Sequence, residues 1–250
     1  MIQALIAGLA YPFRALGLLA RTRRLWGYVL IPILVNMLVG ATLYAALLFT
    51  GLRAIDGAVA TLPAWAALFG SLLRVLLIVL LFIATGFVLV RFGVVLGAPW
   101  YARLSEQLEL MQRGVAPEQV SGVAAALRDL SRALLFELKK LLLVLVIGGI
   151  LLLLNLIPGV GQVLATAGGI VLGATIACLD FLDYPLERRL LSFRQKLGVI
   201  RRALPSTAGF GLVALGLVSI PFLNLLAIPL CVTAGTLLFC EQIGESASAR

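Results

Sequence analysis

The chain contains no histidine. Metal binding and general acid–base catalysis thereby lose their commonest side chain. Charge is scarce as well. Aspartate, glutamate, lysine and arginine supply 12% of the residues, where a soluble domain carries about 25%. A 250-residue globule could not coat its apolar surface with so few charges. Polar–apolar alternation is missing, which excludes a transmembrane β-barrel. No basic region opens residues 1–13, and Arg14 interrupts the stretch just after Pro12, so the start does not read as a cleaved signal peptide. Cysteine is limited to Cys178, Cys231 and Cys240, all in or beside apolar runs and without CxxC spacing. Buried, reduced thiols are the expectation. Acids do not cluster within the apolar runs, so a membrane-embedded enzyme would lack acid–base groups. No catalytic residue, metal site or cofactor is expected.

What is present is apolar: 62% hydrophobic residues and a mean hydropathy of +1.12. In a bilayer, where backbone groups must pair internally, such runs form helices. The fold expected is an all-α integral membrane protein forming one domain over 1–250. Leu25–Leu52 carries no charge, and Gly57–Val90 carries only Arg74. Each exceeds the roughly 20 residues that a span needs, which predicts two long transmembrane helices at 28–50 and 66–90. Pro63 marks the start of the second, and Gly51 with Arg53–Asp56 forms the turn between them.

Two later blocks, Leu141–Leu179 and Ala203–Cys240, are also uncharged but broken near the middle. The breakers are Ile157-Pro158-Gly159-Val160-Gly161-Gln162 and Ile220-Pro221-Phe222-Leu223-Asn224, with Pro229 following. Proline and glycine there predict turns. The blocks become helical hairpins at 141–179 and 206–240, with arms of roughly 15–17 residues, at or below the spanning limit. Partly penetrating hairpins fit better than full spans, and their tips must then be covered by protein or touch water. An acid follows each tip at similar distance, Asp180 and Glu241. Paired, interrupted segments of this kind mark transporter sites; two unrelated hairpins would give the same pattern.

All basic residues except Arg53, Arg74 and Arg250 fall before Trp26, between Arg91 and Lys140, or between Arg188 and Arg202. The hairpin map puts these zones on one side, cytoplasmic by the positive-inside rule, with both termini inside. Residues 1–27 form an amphipathic N-terminal segment. In 186–204, Leu186, Leu190, Phe193, Leu197, Ile200 and Leu204 recur at helical spacing against six basic residues, with Asp183 as cap and Pro185 in the first turn. This predicts a helix on the cytoplasmic membrane face, held by anionic lipid. In 121–140, Leu127, Leu130, Leu134, Leu135 and Leu138 stand against Arg128, Arg132, Lys139 and Lys140 in the same manner. Lipid contact explains this basicity more simply than nucleic acid. Asp180, Asp183 and Glu187 share a face that could hold a metal, but pairing with Arg188 and helix capping are preferred.

Several ordered pieces resemble one family. They are Val29-Leu30-Ile31-Pro32-Ile33-Leu34-Val35-Asn36; Gly97-Ala98-Pro99-Trp100 with Leu104-Ser105-Glu106-Gln107-Leu108-Glu109; Leu156-Ile157-Pro158-Gly159-Val160-Gly161-Gln162; Asp183-Tyr184-Pro185; and Ile220-Pro221-Phe222-Leu223-Asn224-Leu225. The chain resembles the CysZ-type sulfate permeases, within the superfamily named after etoposide-induced protein 2.4, over nearly its whole length. The resemblance implies two long membrane helices with two partly penetrating hairpins, in the cell inner membrane. It also implies a homo-oligomer in which dimers build a hexamer, sulfate uptake for cysteine synthesis, and no ATP hydrolysis. A Gly-x-Arg-Arg element before the first membrane helix binds sulfate in the family. Thr22-Arg23-Arg24 keeps its arginines without the glycine, further from Pro32 than an ungapped match would place them.

A divalent oxyanion needs donors that replace its hydration, and arginine forks with helix N-terminal amides supply them. Arg21, Arg23 and Arg24 are therefore the expected anion-binding residues; a cytoplasmic positive anchor would look alike. Glu106 is a pore or gating candidate, or a surface partner of Arg103 or Arg113. Asn36, Asn155 and Asn224 are pore candidates whose default role is interhelical hydrogen bonding. The function expected is a permease for sulfate or a related oxyanion. A non-transporting membrane scaffold or lipid-organising protein of the same superfamily is the alternative.

Overall fold

The computed structural model describes residues 1–60, 67–114, 123–220 and 223–244, and no strand occurs among them. Helix α1 spans Ile2–Arg21, and a 3-10 turn at Arg23–Leu25 leads into α2, Trp26–Val59. Then come α3 (Ala67–Arg113), α4 (Val123–Leu154), α5 (Val160–Glu187), α6 (Phe193–Arg202), α7 (Ser206–Val218) and α8 (Leu223–Leu238). A π-helical turn at Phe239–Ile243 continues α8. Five stretches are long and apolar enough to cross a bilayer: Ile2–Arg21, Arg23–Val59, Leu68–Val88, Val160–Glu187 and Leu223–Ile243. The chain is an all-α, multi-pass membrane protein.

The two long helices go further than expected. Gly51–Asp56 is not a turn; it lies inside α2. Gly51 is there for close approach, since a Cβ would lie 2.7 Å from the Leu77 side chain of α3. Asp56 pairs with Arg74 across the same contact at 2.7 Å. Helix α3 continues past residue 90, through Pro99, to Arg113. Pro63, Pro221, Phe222, Arg250 and the side chains of Arg91, Leu127, Arg128 and Leu130 lie outside what is described.

Both tips separate helices, α4 from α5 and α7 from α8. Gly159 at the first tip has φ 80°, a left-handed conformation that glycine adopts without strain. Pro229 does not break the chain: it lies within α8, where the Thr233 hydroxyl donates to its carbonyl oxygen at 2.8 Å. Helix α5 carries on through Asp180, Asp183 and Pro185 to Glu187, because partners from other helices receive those acids. The expected amphipathic helix over 186–204 is thus divided. Leu190 turns the chain with φ 55°. Ser192, not Asp183, starts α6, in a reciprocal cap with Gln195.

Helix α8 is the axis of the bundle. Cys231, Val232, Thr233, Ala234 and Leu238 are shielded entirely, and α1, α3, α5 and α7 surround them. Glycines set the spacing. A Cβ on Gly8 of α1 would overlap the Ser206 carbonyl oxygen, and one on Gly209 of α7 would overlap that of Leu5. Such contacts let membrane helices approach to backbone distance. Outward faces are apolar: Leu34, Leu38, Leu68, Phe69, Leu152 and Leu156 are all exposed. Segment 131–140 is inside-out. Leu134, Leu135 and Leu138 face outward, while Arg132 and Lys140 turn inward to acids of α5.

Candidate functional site

Three polar regions lie along the bundle. The first is the junction of α1 and α2. Leu25 is fully buried and pins the 3-10 turn, while the Trp26 indole donates to the Leu19 carbonyl oxygen at 2.8 Å. The turn leaves Arg21, Arg23 and Arg24 exposed, and none has a side-chain partner among the described residues. No side chain caps α2, and its first turn holds no acid. Exposed guanidinium donors on the turn that leads into α2 attract a hydrated anion.

The second region lies further along α2, where α2, α3 and α8 border an open groove of about 510 Å³. Ile33, Gly40, Tyr44, Phe82, Thr85 and Leu225 are among its walls. The walls are largely apolar apart from Thr85 and Tyr44, and two buried asparagines are sequence neighbours of lining residues. Asn36 is 1% exposed and donates to the Pro32 carbonyl oxygen at 2.8 Å. Asn224 is 2% exposed, and neither its Oδ1 nor the buried Thr85 hydroxyl has a partner among the described residues. Asn155, expected as the counterpart of Asn224, sits exposed in the first tip, so the two asparagines are not brought together.

The third region is a network of charges. Glu106 is part-exposed and pairs with Arg103 at 3.6 Å. One turn on, Glu109 is the inward acid. It is wholly buried and receives Arg188 Nη2 at 2.7 Å together with Arg189. Arg188 also donates to Ser105 Oγ at 3.0 Å, and the Thr236 hydroxyl of α8 donates to the same oxygen at 2.8 Å. The Arg189 guanidinium stacks over Phe239 in the π-helical turn. Arg188 therefore serves α3 and not the acids of α5. Those acids take other partners: Asp180 takes Lys140 at 2.7 Å, Asp183 takes buried Lys196, and Glu187 takes Lys196 and Arg132. The described residues contain no metal-holding cluster of acids and cysteines. Glu241, the acid after the second tip, pairs with Arg14 and accepts from Tyr11 at 3.0 Å.

Sequence reading missed Glu109, though a signal existed. Tyr101, Leu104, Ser105, Leu108 and Glu109 fall on one helical stripe, and all five are buried. Burial alone would push the Glu109 carboxyl up. Hydrogen bonds from Arg189 and Arg188, and their charge, outweigh it and hold the carboxyl below its usual 4.5. A depressed folded value gives stability that is complete above the unfolded value and lost as pH falls through the folded one. Unfolding temperature in detergent should therefore drop as pH falls below about 4.5. An E109Q variant should lose that part of the acid sensitivity, and an unchanged acid profile in E109Q would contradict the assignment.

Residues 11–229 match the family described as Sulfate transporter CysZ/Etoposide-induced protein 2.4. The chain is 28% identical over 223 residues to the sulfate transporter CysZ of Pseudomonas paraeruginosa, covering 89% of this chain and 90% of that one. It is 27% identical over 216 residues to the sulfate transporter CysZ of Salmonella typhimurium, covering 86% and 84%.

Proposed function

The chain belongs to the Sulfate transporter CysZ/Etoposide-induced protein 2.4 family, and from that premise we propose that it is a membrane permease that admits sulfate or a related oxyanion to the cytoplasm. The observation that carries the reading is the trio Arg21, Arg23 and Arg24, exposed and without a side-chain partner among the described residues, at the turn that leads into α2. The two relatives are named for sulfate. In this reading the trio collects the anion, and Asn36, Thr85 and Asn224 flank the passage between α2, α3 and the second hairpin. Glu106 lies at the basic end. The hairpins dip into the bilayer and return, the termini face the cytoplasm of a cell with an inner membrane, and copies assemble as a homo-oligomer. Support for the dipping comes from Leu225 and Leu226, next to the second tip. They line the groove with Gly40 and Tyr44 of α2 and Phe82 of α3, which lie within those spans and not at their ends.

Uptake of labelled sulfate into liposomes tests this. Wild-type protein should speed entry over protein-free vesicles, and R23Q/R24Q should slow it on the order of tenfold or more. The size follows because a charge-assisted hydrogen bond contributes about 1.5–3 kcal/mol, and about 1.4 kcal/mol is tenfold. No wild-type uptake would favour the scaffold alternative. Wild-type uptake with an unaffected double variant would remove the arginines from the path and leave the permease reading standing.

A further inference from the structure

Helix α6 does not lie with its apolar stripe in lipid, because that stripe is used by the protein. Lys196 and Ile200 are buried, and Phe193 packs edge-on against Phe136 with ring centres 5.7 Å apart. The outward side is another surface. Arg194, Gly198, Arg201 and Arg202 share an arc of about 100° on a 3.6-residue helix. The three arginines are exposed and have no side-chain partner among the described residues. Gly198 leaves bare backbone between them: a Cβ there would meet only Arg202 Nη2 within 4 Å, at 3.9 Å. Many of the other basic side chains are committed, among them Arg14, Arg132, Lys140, Arg188, Arg189 and Lys196.

Two leucines bracket this cationic face. Leu190 is 62% exposed and Leu204 is 52% exposed. Leu190 holds a left-handed backbone, which is costly for a leucine. The flanking helices fix where the face lies. Helix α5 is a candidate span ending at Glu187, and the apolar α7 begins at Ser206. Helix α6 is therefore confined to the edge of the apolar zone, where headgroups are.

We propose that the outer face of α6 is a binding site for anionic phospholipid headgroups, seated on Arg194, Arg201 and Arg202 over Gly198, with Leu190 and Leu204 entering the acyl region. Arginine forks match phosphate geometry, and basic residues near a membrane surface draw anionic lipid. Exposed leucines on both sides favour lipid over a soluble polyanion, which would leave them in water. The site does not depend on which ion the chain transports.

The test uses the full chain in a neutral detergent. Unfolding temperature is measured with phosphatidylglycerol, with phosphatidylcholine and with inorganic sulfate. Phosphatidylglycerol should raise it well above phosphatidylcholine. R194Q/R201Q/R202Q should lose most of that difference, and the triple lysine variant should keep much of it. Sulfate should neither reproduce the rise nor cancel it at matched ionic strength. Equal stabilisation by both lipids, or a full phosphatidylglycerol response in the glutamine variant, would overturn the proposal. Cancellation by sulfate would overturn it too, since the face would then be a free-oxyanion site.

Discussion

Replacing Glu109 with alanine should destabilise the detergent-solubilised protein by about 3–5 kcal/mol, the usual cost of stranding a buried charge. Arg188 is 2% exposed and Glu109 is wholly buried, so neither can turn to water. Without the carboxylate, Arg188 keeps only the Ser105 oxygen as a described partner, and Arg189 keeps the Pro185 carbonyl. Two guanidiniums would then face each other in the interior. Apolar replacement of Glu109 with its most buried partner, E109L/R188M, should recover part of the loss, since a buried pair is often dispensable when removed together, while Arg189 keeps the Pro185 carbonyl and the Phe239 ring. Thermal unfolding followed by size-exclusion chromatography reads both effects. An E109A protein as stable as wild type would mean that the network contributes nothing.

Gly209→Ala should be the second severe change, costing about 1–3 kcal/mol or more. The added carbon meets the Leu5 carbonyl oxygen, and that backbone cannot swing aside as a side chain can. Helices α1 and α7 would have to part. Gly216 in the same helix has nothing within 4 Å of a Cβ position. There alanine should be neutral or stabilising by up to about 1 kcal/mol through helix propensity. The contrast separates close approach from propensity within one helix. G8A/G209A should cost less than the two single changes together, since both open the same contact. Equal stability of G209A and G216A would rule out the contact as a determinant.

The helical membrane class, and the separation of α4 from α5 and of α7 from α8, were legible because each rests on local signals. Uncharged runs and proline–glycine breakers need no knowledge of distant residues. What escaped was set by partners far along the chain. Gly51 and Asp56 read as a turn until Leu77 and Arg74 stand opposite them. Arg188 was expected to meet acids on its own helix, but its partner is Glu109 on α3. Asp183 resembled a helix cap, yet buried Lys196 takes it, which lets α5 run on and moves the start of α6 to Ser192. The amphipathic stripe of 186–204 had the right period. Its apolar side was assigned wholly to lipid, whereas Leu186 and Ile200 are buried in protein and only Leu190 and Leu204 stay exposed.

The position of α8 bears on how the molecule is made. A ribosome delivers a chain from its N-terminus, and domains tend to organise in that order. Here the central strut emerges after every helix that leans on it. Helices α1, α3, α5 and α7 must wait in the bilayer with their inner faces provisionally covered, by lipid or by insertion factors, until α8 arrives. Arrival of α8 thus completes the packing of α1, α3, α5 and α7 around it.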